Sequence, residues 1–193
     1  IHVPYCWDDI LIPTSSEQRP MTDIARPDDI FYARTGMDPE RIGSRVDAAL
    51  DGADDGELFL EYNQSESITF DDGRVRNANF DTSQGFGLRA VSGEATGYAH
   101  STEMSEAAIT RAGDTVRAVR TGHGGTVADS PTGTNRDLST DTNPLGEMAF
   151  EDKVALLSEI DAYARSSDPR VRQVTASLSG NWQAVQIVRA GGD

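Results

Sequence analysis

From Glu57 to His100 apolar and polar residues alternate with a period of two, and the run is cut by turns too short for anything but hairpins. In ELFLEY, Leu58, Leu60 and Tyr62 fall on one side. SITF leads into Asp71-Asp72-Gly73 and then RVRNANF. Asp-Gly is a strong hairpin signal because both residues accept the left-handed backbone that a two-residue turn demands. GFGLRAVS, Gly93-Glu94 and ATGYAH form a second hairpin, and Asp81-Thr82-Ser83-Gln84 is read as the link between the two. Strands joined this closely are antiparallel neighbours, since a parallel crossover needs about a dozen residues or more.

Helical periodicity flanks this block. Asp38-Pro39 opens a helix: Asp38 can cap the free N–H groups and Pro39 suits the first helical position. Ile42, Val46 and Leu50 then share a face, and Gly52 can end the helix. Ser105 caps a second helix reaching Arg120, with Ala108, Ala112, Val116 and Val119 as its apolar stripe. A third runs from about Phe150 to Arg165, with Val154, Leu157, Ile160 and Ala164 inward and Asp168-Pro169 as its stop. A last hairpin is expected around Gly180-Asn181, with Val174, Ala176 and Leu178 facing one way and so Val185 and Ile187. The order predicts an α+β fold: a twisted antiparallel sheet of hairpins with about three helices packed against it.

The 193 residues suffice for one core without disulfides, and the single cysteine, Cys6, allows none within the chain. Residues 1–37, rich in Pro, Asp and Ser, are expected to form a mobile arm or a docked irregular segment, with the folded domain over 38–193. Residues 121–147 read as a long loop that is either mobile or a binding surface. With 32 acidic against 17 basic residues the net charge is −15, which argues against direct nucleic-acid binding. No apolar run is long enough for a membrane span or the core of a signal peptide, so a reducing, cytoplasmic setting is expected.

Motifs with chemical promise fail on context. Gly85-Phe86-Gly87-Leu88-Arg89-Ala90 fits a dinucleotide fingerprint but leads into a hairpin instead of a helix, so Gly85 and Gly87 are read as sites of close strand packing. Gly122-His123-Gly124-Gly125 has no accompanying nucleophile elbow. His2, His100 and His123 lie in no zinc-ligand spacing, and the paired aspartates all sit at turns. Residue chemistry alone assigns neither a catalytic residue nor a cofactor or metal ligand to this chain.

Longer motifs occur in a fixed order. Ser65-Glu66-Ser67 follows an acidic-aromatic strand, the Asp72-Gly73 turn comes next, then Gln84-Gly85-Phe86-Gly87-Leu88-Arg89, then Gly93 to Ala99 with its Thr96-Gly97-Tyr98-Ala99 core. Residues 151–189, including Asp168-Pro169-Arg170-Val171, continue the pattern. Across about residues 39–190 the chain resembles the N-terminal part of the TldD/PmbA family, once labelled modulators of DNA gyrase, and leans to TldD. The resemblance implies a cytoplasmic zinc peptidase that acts on unfolded peptides as a heterodimer with a TldE/PmbA-like partner. It places the zinc ligands, a His-Glu-x-x-x-His motif and a distant Cys, in a C-terminal domain, so zinc belongs to the full-length protein. Within this chain Arg89, Tyr98 and His100 are the candidates for a peptide cleft, against a plain role in strand packing or surface solvation. A stand-alone peptide- or partner-binding module and a regulator of a DNA enzyme are the alternatives.

Overall fold

The computed structural model describes residues 27–118 and 142–191. Four strands form one antiparallel sheet in the order β3-β2-β1-β4: β1 is Asp55–Asp71, β2 is Arg74–Ser92, β3 is Ala95–Ser101 and β4 is Thr175–Arg189. Helices α1 (Pro39–Leu50), α2 (Glu106–Arg117) and α3 (Phe150–Ser167) pack on one face. The α+β class expected from the sequence is the observed one.

The capping logic of the first two helices holds atom by atom. The Asp38 side chain accepts from Arg41 N at 3.0 Å, and Ser105 Oγ accepts from Ala108 N at 3.1 Å. The Asp72-Gly73 turn closes β1 onto β2 with φ of 51° and 81°, the left-handed pair that a two-residue hairpin needs.

Five expectations fail. The six short strands are four, three of them long. Asp81-Thr82-Ser83-Gln84 is no link but the middle of β2, paired in register with Ser65 to Tyr62. Gly180-Asn181 is no turn: β4 runs through it without a break, opposite Glu66 and Ser65. A Cβ on Gly180 would lie 2.5 Å from Leu145 Cδ2, so this glycine serves close approach. Parity along the unbroken strand then puts Val185 and Ile187 on the face opposite Ala176 and Leu178, and both are exposed. In α3 only Leu157 of the expected stripe is fully buried. Its companions are Lys153 and Asp161, while Ile160 is 44% exposed.

The core has two parts. Leu58, Leu60 and Tyr62 of β1 and Phe86 and Leu88 of β2 pack under α1 and α2. Ile30, Phe31 and Tyr32, from a single π-helical turn over Asp29–Ala33, are buried in the same cluster. A smaller cluster of Ile68, Phe70 and Leu157 lies under α3. Residues 1–26 and most of the 121–147 loop lie outside the described residues. Within that loop, Pro144–Gly146 forms a short 3-10 turn.

Candidate functional site

Alternation along β1 leaves every second side chain on the sheet face away from the helices. At one end of that face Tyr98, Arg89, Glu57 and Arg189 are successive cross-strand neighbours, followed one row on by His100, Gly87, Phe59 and Ile187. The sheet thus brings Arg89, Tyr98 and His100 together on adjacent strands. The Tyr98 and His100 rings stack with centroids 5.8 Å apart and 28° between planes. Tyr98 is 63% exposed and lies across Gly87: a Cβ there would be 3.0 Å from two ring carbons. The Gly85–Ala90 fingerprint is therefore extended strand, and Gly87 makes room for an aromatic ring.

Arg89 is held from two sides. Its Nε donates to Glu57 at 2.7 Å, and its Nη2 donates to Glu57 and Asp55, each at 2.7 Å. Hydrogen bonds to Glu57 first, then Asp55, raise the Arg89 pKa, while the Arg89 hydrogen bond holds the Asp55 carboxyl below its ordinary range. A guanidinium neutralised this way is a fixed strut between strands, unsuited to proton transfer. The part of this end that can meet a ligand is the Tyr98–His100 pair.

Farther along the same face the rows are Ser83–Asn63–Gln183, Asp81–Ser65–Asn181 and Asn79–Ser67–Ser179. Behind them, on the helix side, Glu66 accepts from Lys153 Nζ at 2.8 Å, and that ammonium also donates to Leu145 O at 2.7 Å. Among the described residues, no group of three or more His, Cys, Asp or Glu could hold a metal ion. The described residues do not fit a zinc site.

A second feature lies beyond what sequence patterns reveal. β3 pairs only with Phe86–Ser92 of β2, so Arg74 to Gly85 form an unpaired edge among the described residues. Beside it, on the helix side, a cavity of about 320 Å³ is lined by Ile68, Ala78, Phe80, Leu145, Met148 and Phe150 among others. Phe80, Met148 and Phe150 are 53%, 44% and 48% exposed. Its one sequence signal is the alternation of Ala78 with Phe80, obscured by the polar run that follows.

Residues 56–120 match the family model for PmbA/TldA metallopeptidase domain 1, and residues 143–193 that for the PmbA/TldA metallopeptidase central domain. The chain belongs to the PmbA/TldD metallopeptidase family. It is similar to the metalloprotease TldD homolog of Haemophilus influenzae, at 31% identity over 142 residues, covering 72% of this chain and 30% of that protein. The chain thus spans about 30% of the length of the curated relatives it matches. Two solved structures share the fold. One, from Bacteroides thetaiotaomicron, is described as a modulator of DNA gyrase; its TM-score is 0.62 at 15% identity, over 80% of this chain and 37% of that one. The other is TldE from Thermococcus kodakarensis, with a TM-score of 0.58 at 13% identity, over 78% of this chain and 36% of that one. The two matched regions share one sheet, because β4 from the second pairs along β1 of the first. No helix among the described residues is long and apolar enough to cross a membrane.

Proposed function

We propose that this chain is the N-terminal, non-catalytic part of a zinc metallopeptidase subunit that degrades or trims unfolded peptides. The observation that carries this is the sheet shared by the two family-matched regions, which leaves one face, the Arg74–Gly85 edge of β2 and the outer edge of β4 uncovered among the described residues. A sheet of that kind can wall a substrate cleft and bind extended backbone with little regard to sequence. Tyr98 and His100 would meet the peptide, and Arg89 would brace the strands beneath them. Zinc would be held by residues outside this chain, and this chain alone would cleave nothing. Residues 38–193 would act as one structural unit with the Ile30–Tyr32 turn docked in its core, preceded by the remainder of the 1–37 arm. The partner would be a TldE/PmbA-like subunit, the setting cytoplasmic. The −15 charge supports a role without direct nucleic-acid contact.

The test is hydrolysis of a fluorogenic unfolded protein by the full-length protein with its partner subunit, with and without a chelator. Chelator-sensitive cleavage by that complex, and none by the 193-residue chain, is the expected pattern. Cleavage by this chain alone, or none by the complex with zinc supplied, would refute it.

A further inference from the structure

We propose that the free edge of β2, from Arg74 to Gly85, and the apolar cavity beside it form a docking site for an extended, cationic peptide with a large apolar side chain. The inference deepens the preceding reading and rests on it, since it names the substrate chemistry of the cleft wall.

Three observations converge. An unpaired edge offers a row of backbone donors and acceptors to any strand laid along it. Side chains of an added strand alternate, so every second one falls on the helix side, where Ala78, Phe80, Met148 and Phe150 border the cavity. At about 320 Å³ the cavity has room for a large apolar side chain. Charge then selects the peptide. Two of the exposed apolar residues have exposed acidic neighbours in sequence, Glu147 beside Met148 and Glu151 beside Phe150, while Asp81 beside Phe80 falls on the opposite face of the sheet. None of these carboxylates makes an ion pair among the described residues. The one cation lining the cavity, Lys153, is already paired with Glu66. A negative rim around an apolar pocket, on a chain of charge −15, favours basic residues flanking the inserted side chain.

The experiment uses the 193-residue chain and a short fluorescent peptide that alternates Lys or Arg with Val around a central Phe. Anisotropy should show binding that weakens as salt rises. Replacing the central Phe by Ser, or Phe80→Asp in the protein, should each cost about tenfold in affinity or more. Replacing the basic residues by Glu, or N-methylating the peptide backbone on the docking side, should abolish binding. Phe80 is 53% exposed, so its variant should keep the fold; unchanged circular dichroism and Met148→Glu as a second variant guard that point. No binding, or binding indifferent to Phe80→Asp, Met148→Glu and N-methylation, overturns the site. In the full-length peptidase, Phe80→Asp should raise KM for this peptide and spare kcat. Cleavage with an unchanged KM would refute the docking site and leave the peptidase reading intact. No cleavage of any peptide would refute that reading, while binding to the isolated chain decides the docking site independently.

Discussion

Lys153 is the chain's only lysine, and it is 7% exposed, between α3 and the sheet. Its ammonium spends two donors on Glu66 and on the Leu145 carbonyl, at 2.8 and 2.7 Å. Substituting Lys153→Met keeps the length of the side chain and removes both bonds. The Glu66 carboxylate, with its side chain 15% exposed, is then left without a cation in a largely dry position. Breaking a buried pair from one side costs about 3–5 kcal/mol, and the residual exposure puts this case at the lower end, about 3 kcal/mol. With an m-value of about 2 kcal/mol/M in urea, the denaturation midpoint should fall by about 1.5 M. Replacing both partners, Lys153→Met with Glu66→Leu, should recover most of that loss, because an apolar pair carries no desolvation penalty. The assay is urea denaturation followed by circular dichroism on the two single variants and the double. A shift under about 0.5 M for Lys153→Met, or a double variant no more stable than the singles, would show that the pair is not holding α3 to the sheet.

Two further perturbations separate packing from surface effects. A Cβ on Gly56 would lie 2.5 Å from Leu50 Cδ2 and collide with the Arg89 carbonyl, neither free to move. Gly56→Ala should therefore cost about 1–3 kcal/mol and several degrees of Tm. Gly87→Ala meets only the exposed Tyr98 ring, which can swing away, so it should cost under about 0.5 kcal/mol in a thermal melt; equal losses would contradict the packing. For Asp55, the Arg89 hydrogen bond lowers the folded-state pKa below the ordinary 3.8. Its contribution is then complete above the unfolded value and lost as pH falls through the depressed one. The stability gap between the protein and Asp55→Asn should be flat above about pH 5 and close toward pH 2; a gap that persists at pH 2 would remove Arg89 as the cause. Since the Asp55 side chain is 39% exposed, the gap should not exceed about 1 kcal/mol.

Signals set by local chemistry are readable from the sequence. Asp38 and Ser105 have to cap something, and Asp72-Gly73 and Gly93-Glu94 can only be tight turns. What stays hidden depends on partners distant in sequence. The polar run Asp81 to Gln84 resembles a loop because β2 there is exposed on both faces and has an unpaired edge, and no apolar alternation marks it. Gly180 resembles a turn residue because nothing nearby in sequence reveals that Leu145 will sit over it. The inward face of α3 is masked because Lys153 and Asp161 are polar yet buried, each satisfied by a partner, Glu66 and Arg165. Arg89, Tyr98 and His100 stand out singly in the sequence, and only the β2–β3 register shows that they share one face. The cavity bordered by Phe80, Met148 and Phe150 joins residues far apart along the chain, beyond the reach of any local pattern.

The central claim is that this sheet holds extended peptide for a peptidase whose metal lies elsewhere. Amide hydrogen exchange of the chain, with and without the cationic Phe-containing peptide, tests it most directly. Slowed exchange centred on β2 between Arg74 and Gly85 and on the segment from Leu145 to Phe150 is the predicted result. No change on adding saturating peptide, or protection centred on β4 or on α1 and α2, would contradict it.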